Sequence, residues 1–458
     1  MSMQVTTAAA AGNSVNVIDS SISTQQPYNG SVPMGVLKDG VLNLTLEDAL
    51  KMGLRQNLGA ITESSAIQQA TGQRQVARSE LMPQLNVAVS EEFERLNLRT
   101  QGVEVNTFPE SVKFNFYDAR TKLNQSVFDL VKIRNLRGAS ESLKANIKAS
   151  RNARDLIVLA VSGSYLQQVS TMARIEATAA QVEVSRAIYK QAVDRLAAGL
   201  VPRVDVTRSQ VQLQTEEQRL RQLQADLETQ KLNLARIIGL PLGQKYKAVN
   251  EYRFESQVDF TLETALHQAF ERRSDLQAAN SGVKAAEFSI KAAHAERLPS
   301  LNVNADFGAA GVTPTHESTG VYSVAGTLSI PIFEGGRIHG DIEQSSSVLR
   351  QRKSEYEDLR GQIDQDVRQA FIDMNSAADQ VEVAKSNVEL AHETLEQSRD
   401  RFVAGVTDTV ELVQAQQSVA QADEDFITAV YEHNLAKVSL ARAMGDAEQT
   451  LPQLLRKQ

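Results

Sequence analysis

The chain has 458 residues, 42% hydrophobic and 23% charged, with a formal net charge of −8 and no cysteine. It is too polar for a bundle of transmembrane helices and too apolar and periodic for a disordered chain. The acidic balance and the lack of a basic run argue against a nucleic-acid partner. The missing thiols exclude disulfides, thiolate metal sites and a lipidated N-terminal Cys in this chain.

Residues 1–41 are rich in Ser, Gly, Asn, Thr and Ala and read as an extended N-terminal arm. The opening MSMQVTTAAAAGNSVNV has neither a basic n-region nor a continuous apolar stretch. The expectation is that a signal peptide is absent from this chain.

From Leu42 the chain repeats itself. LNLTLEDALKMGLRQN matches VDFTLETALHQAFERR, and MPQLNV matches LPSLNV, with Pro83 and Pro299 separated by 216 positions. Later landmarks, Gly199 with Gly405 and Gly239 with Gly445, are separated by 206. One unit of about 200 residues is used twice: repeat 1 over 42–245 and repeat 2 over 246–445, with a tail at 446–458. Repeat 1 carries about ten extra residues, expected in the loop LRTQGVEVNTFPES.

Within each repeat Thr45 or Thr261 is an N-cap candidate, and one helix is expected from there to the proline. After the proline the period becomes two. Leu85, Val87, Val89 and Phe93 alternate with polar residues, as do Leu301, Val303, Ala305, Phe307 and Ala309. Second strands are expected near 112–127 and 320–331, with Tyr322, Val324, Leu328 and Ile330 as an apolar row. Phe93, Phe114, Phe116, Tyr117 and Tyr322 are the aromatic residues available for a membrane girdle, since Trp is absent.

Long helices follow, about 90 Å from Leu136 to Leu196 and about 50 Å each from Asp205 to Ile238 and from Glu411 to Met444. Val367, Met374, Val381, Val388, Leu395 and Phe402 recur every seven residues, with a small residue three places after each of the first five. Leu412, Val419, Phe426, His433 and Leu440 do the same on the return, each followed by alanine. Repeat 1 has a looser seam through Val206, Leu213, Leu220, Leu227 and Leu234, preceded by one that Gln168 interrupts. Gly199 and Gly405 break these helices and read as left-handed C-caps that reverse the chain, with Arg195 and Arg401 one turn earlier near the negative end of the helix dipole.

Four amphipathic strands cannot close a barrel alone, and a membrane accepts strands only in a closed one. Strands pooled from two chains would number 8 and enclose a filled interior. Three chains would give 12 and room for a lumen. The six histidines show no HExxH or i,i+4 pair, and FEGGRIHG contains no phosphate-binding glycine pattern, so no catalytic, cofactor or metal site is expected.

The tandem repeat, TLEDAL and TLETAL, SELMPQLNV and AERLPSLNV, PIFEGGR and the paired R-x-x-x-G turns resemble the TolC family of bacterial outer-membrane efflux proteins. The resemblance covers residues 42 to 445. It implies a mainly α fold with β: a long antiparallel coiled-coil α-barrel continuous with a 12-stranded trimeric β-barrel, four strands per chain. It implies a non-enzymatic outer-membrane exit duct reaching into the periplasm, with a periplasmic adaptor, an inner-membrane transporter and membrane lipid as partners. Asp205, Phe402, Thr407, Asp408, Glu411 and Gln414 would lie at the periplasmic aperture. Arg195, Gly199, Leu200, Arg401, Gly405 and Val406 would form turns that meet the adaptor. Phe402 stands where relatives often carry a tyrosine, Thr407 replaces a frequent basic residue and Gln414 a second acid. The closing network should therefore be weaker or built differently. Two other readings stay open: the exit duct of a type I protein secretion system and, from another class, a soluble coiled-coil scaffold.

Overall fold

The computed structural model describes residues 28–34, 37, 39–97, 111–249, 261–313, 318–407, 409–445, 447–448 and 450–451. In chain order the elements are β1 (Leu42–Leu44), α1 (Leu46–Gln56), α2 (Leu58–Ser79), β2 (Gln84–Asn97), β3 (Ser111–Phe128), α3 (Leu130–Ala197) and α4 (Arg203–Ile238). Then come β4 (Tyr246–Ala248), α5 (Leu262–Arg272), α6 (Ser274–Ala295), β5 (Ser300–Gly311), β6 (Ser318–Ser329), α7 (Arg337–Val403) and α8 (Thr409–Met444). Most of the N-terminal arm, the 98–110 loop and the far C-terminal tail lie outside the described residues.

Thr45 and Thr261 cap their helices, accepting from the backbone N–H of Asp48 and Thr264. The single helix expected up to each proline is in fact two. Asn57 and Arg273 leave the helical region at ψ 136° and 119°. Asn57 is fully buried, and its amide donates to the carbonyls of Tyr28 and Ile237 while its oxygen accepts from Gly59 N–H. Two of these partners lie 29 and 180 residues away, which explains why the local pattern does not reveal the break.

β2, β3, β5 and β6 form one antiparallel sheet in that order, with β2 and β6 as its edges. The register puts Leu85, Val87, Val89 and Phe93 on the same face as Leu123, Ala119 and Tyr117 of β3, Ala305 and Phe307 of β5, and Val324 and Tyr322 of β6. That face is mainly apolar, interrupted by Thr121 and by the hydrogen-bonded pair Glu91 and Asn115, and Phe93 and Tyr322 are 78% and 79% exposed. The other face carries Asp118, Arg120, Lys122 and Asp306, where Arg120 pairs with Asp118 at 2.9 Å and Asp306 at 3.5 Å. Phe114 and Phe116 stand opposite Glu94 and Glu92 on that polar face. They do not share a face with Phe93, Tyr117 and Tyr322, as expected for a girdle, whereas Phe307 does. β2 and β3 have 14 and 18 residues against 12 and 12 in β5 and β6, and the loop expected to hold the extra length lies mostly outside the described residues.

The helices below the sheet run far. α3 and α7, with 68 and 67 residues, each extend about 100 Å, and α4 and α8, with 36 each, about 54 Å. Each long helix lies beside a short one from above and another from below: α2 then α4 along α3, and α6 then α8 along α7. The pair Gly335 and Gly336, at φ 59° and 91°, turns the chain from β6 into α7. Arg337, just beyond, bonds Glu334, Glu296 and Asp341 and fixes that corner to the end of α6. α3 contains an 18-residue window apolar enough by composition to cross a membrane, but half of it is buried inside the protein.

The largest core sits midway down. β1 pairs in parallel with β4, an element the sequence pattern did not disclose, and the small sheet packs with α1 against Ile157, Val158, Val161 and Tyr165 of α3 and Leu234 and Ile238 of α4. The Tyr165 hydroxyl donates to the carbonyls of Leu44 and Val249. Gln168, which interrupts the heptad, is buried and donates to the Tyr246 hydroxyl and the Gln230 carbonyl. Burial drives the Tyr246 phenol up to about 12.

The α7–α8 seam follows its heptad: Val367, Met374, Val381, Phe402, Leu412, Val419, His433 and Leu440 are buried with their alanine partners. The α4 seam does so only at Leu234, which is fully buried. Val206, Leu213, Leu220 and Leu227 are only partly buried, while Asp205, Ser209, Gln212 and Glu216 are buried. α4 is rotated so that its polar stripe faces α3 and α8. Gln417 donates to Gln212, Gln212 donates to Glu216, and Glu424 of α8 accepts from Arg219 of α4 at 2.9 Å and pairs with Arg174 of α3 at 2.9 Å. These contacts supply the cohesion that leucines supply in an ordinary coiled coil.

Candidate functional site

The lower end of the helices is made by the two glycine turns. Gly199 and Gly405 have φ 71° and 73°, and no atom would lie within 4 Å of a Cβ at either. Glycine is needed there for backbone conformation and not for space. In each turn the residue after the glycine donates back to the arginine carbonyl, Leu200 to Arg195 and Val406 to Arg401, both at 2.9 Å. The glycines donate to Leu196 and Phe402. This is a complete Schellman motif, a closure that commonly tucks a hydrophobe back against the helix. Here Leu200 and Val406 project outward, 73% and 69% exposed.

The turns are tied together. Phe402 of α7 is 2% exposed and packs with Ile188 of α3, Leu412 of α8 and, partly, Leu395. The Arg195 guanidinium lies 4.3 Å from the Phe402 ring centroid and donates to the Val403 carbonyl at 3.2 Å. Arg195 therefore caps the negative end of the neighbouring helix. Phe402 thus presents a buried ring beneath a cation. Arg401 pairs with Glu411 at 3.0 Å, and the Thr407 hydroxyl donates to the same carboxylate. Gln414 is exposed. Asp205 is buried and pairs at 3.5 Å with Arg208 in its own helix. Asp408 lies outside the described residues.

The sequence reading thus located the two helix-ending glycines and missed how the turns join. It placed Arg195 against its own helix end, and the structure places it across to the other turn. The Arg174–Glu424–Arg219 cluster higher up was not foreseen, and its only signal was the density of charged and amide residues on α4. Among the described residues no group of three or more His, Asp or Glu side chains could hold a metal ion.

A two-faced antiparallel sheet with open edges, continued by helices about 100 Å long and ending in paired turns, is the architecture of one part of a transmembrane duct. The outer membrane efflux protein family model matches residues 63–240 and 265–446. The chain belongs to that family. Outer membrane protein OprJ of Pseudomonas aeruginosa is 24% identical over 427 residues, covering 89% of this chain and 85% of its own. Outer membrane protein TolC of Escherichia coli is 22% identical over 382 residues, 81% of this chain and 76% of its own. The crystal structure of the Campylobacter jejuni CmeC outer membrane channel superposes with TM-score 0.78 at 15% identity, covering 94% of this chain and 95% of that one. The protein is an exit duct of the bacterial outer membrane reaching into the periplasm, and the soluble-scaffold reading is set aside.

Proposed function

We propose that three copies surround one axis, pooling their sheets into a 12-stranded barrel and their helices into a periplasmic tunnel whose closed mouth is formed by the two turns. The observation that carries this is the sheet itself. Its apolar face is uncovered, and β2 and β6 are unpaired edges, which a bilayer does not accept unless the sheet closes with other copies. Strands of 12 to 18 residues exceed the roughly 9 to 11 that span a membrane. The duct is passive and not an enzyme. It serves as the outer component of a tripartite pump, receiving exported compounds from an inner-membrane transporter through a periplasmic adaptor.

Asp205, Phe402, Thr407, Asp408, Glu411 and Gln414 are assigned to the aperture, and Arg195, Gly199, Leu200, Arg401, Gly405 and Val406 to the adaptor-contacting turns. Support for the second set comes from Leu200 and Val406, apolar and exposed where a helix-ending turn commonly buries its hydrophobe. The decisive test is the mass of the detergent-extracted protein together with its conductance in planar bilayers. A trimer that conducts ions is expected, and a monodisperse, detergent-free dimer of rods would sink the proposal. Replacing Leu200 and Val406 by Asp should abolish adaptor cross-linking while leaving conductance intact. Glu411→Gln should change block by divalent cations, and unchanged conductance in divalent salt would remove Glu411 from the gate.

A further inference from the structure

We propose that Arg95 and Lys113 form a phosphate-binding site for lipid head groups of the outer leaflet, at the outer rim of the lipid-facing band. The inference rests on the barrel proposed above. The two cations stand directly opposite each other across β2 and β3. Like charges in that register repel unless something compensates them. Both are exposed, and among the described residues no carboxylate pairs with either. Glu92 and Glu94 fall on the other face, and Glu91, on the same face, accepts a hydrogen bond from Asn115. Arg95 donates through Nε and Nη2 to the Ser111 hydroxyl at 3.3 Å, which turns its guanidinium toward the outer end of the strands.

The height agrees. Pro83 joins β2 to the helices, so Leu85 marks the periplasmic end of the apolar row and Phe93 is its outermost large residue. The ten-residue step from Leu85 to Arg95 covers about 34 Å along the strand, or about 26 Å along the membrane normal at a tilt of about 40°. The apolar band of an outer-membrane barrel is about 25 Å tall. The pair therefore lies just beyond the hydrocarbon, at the level of the outer phosphates. A phosphate between a guanidinium and an ammonium, with a hydroxyl alongside, gains charge-assisted bonds that the two cations do not provide for each other. The matching positions of repeat 2, Gly311 and Ser318, are uncharged, so each chain contributes one such site.

The test is retention of diphosphorylated lipid A by the intact oligomer in native mass spectrometry, with dephosphorylated lipid A and inorganic phosphate as the other probes. Planar-bilayer conductance of the same preparations reports whether the barrel has formed. Wild type should retain the diphosphorylated lipid. Each single change, Arg95→Gln or Lys113→Gln, should weaken retention about fivefold and the double change about 25-fold. Lys122→Gln, on the lumen face, should leave retention unchanged. Equal retention by the double variant, equal loss in Lys122→Gln, equal retention of the dephosphorylated lipid, or displacement by millimolar inorganic phosphate would each overturn the site. Loss of conductance in wild type would instead overturn the barrel.

Discussion

Replacing Arg195 by Gln tests how the two turns are held. The change removes a guanidinium 4.3 Å from the centroid of a ring that is 2% exposed, and a hydrogen bond of 3.2 Å to the Val403 carbonyl. At a partly exposed position the first contact is worth about 0.5–1 kcal/mol and the second about 1 kcal/mol. Their sum, about 1.5–2 kcal/mol, is a factor of about 10–30 in the equilibrium between joined and separated turns. If three copies open together, the factors multiply to about 10³ to 3 × 10⁴. Single-channel recording should show a rise in mean conductance or open probability for Arg195→Gln. Arg195→Lys, which keeps the charge over the ring, should lie between it and wild type. If Arg195→Gln conducts as wild type does, and amide exchange at Val403 and Gly405 is also unchanged, the bridge does not hold the mouth closed.

Other consequences follow from the helix joints and the buried titrating groups. Gly405→Ala should cost about 1–2 kcal/mol, because only the left-handed backbone is penalised. Gly445→Ala should cost more, because its Cβ would also stand 2.8 Å from Arg273 N, and the two melting temperatures should rank accordingly. His433 is fully buried, and burial with the neighbouring Lys437 charge brings its imidazole down to about 4. A lowered folded value means that stability is intact above the ordinary value near 6.5 and falls as pH drops from there toward 4, by about 3 kcal/mol. His433→Leu should flatten the melting temperature across that window. Tyr246 works at the other end: its raised value means that stability is present below pH 10 and lost between 10 and about 12. Tyr246→Phe should remove that alkaline step and lower the plateau by about 1 kcal/mol, since Gln168 and the Lys231 carbonyl lose their partner.

Much of the fold was legible because the signals were local. Period-two alternation at Leu85–Phe93 and Leu301–Ala309 became β2 and β5, and the alanine heptad became the buried α7–α8 seam with almost every residue in place. Gly199 and Gly405 were found because a left-handed cap favours glycine. The break at Asn57 was hidden because the groups that stabilise it come from Tyr28 and Ile237. Strand β4 escaped notice because three residues carry no periodicity and their partner is residues 42–44. The looser leucine repeat of α4 misled in an instructive way. Period alone cannot say which of two stripes on a helix faces inward when both recur every seven residues.

The sequence by itself determined where the long helices run, the two-faced strands and the position of the turns, since each depends on backbone preference or on the period of nearby side chains. Only the tertiary structure decided that Asp205, Gln212 and Glu216 are buried ahead of Leu213, Leu220 and Leu227, that Arg195 reaches across to Phe402, and that Arg95 faces Lys113. The physical reason is that hydrogen bonds, cation–ring contacts and strand register join residues tens to hundreds of positions apart. Their partners are set by how the helices rotate and the strands align.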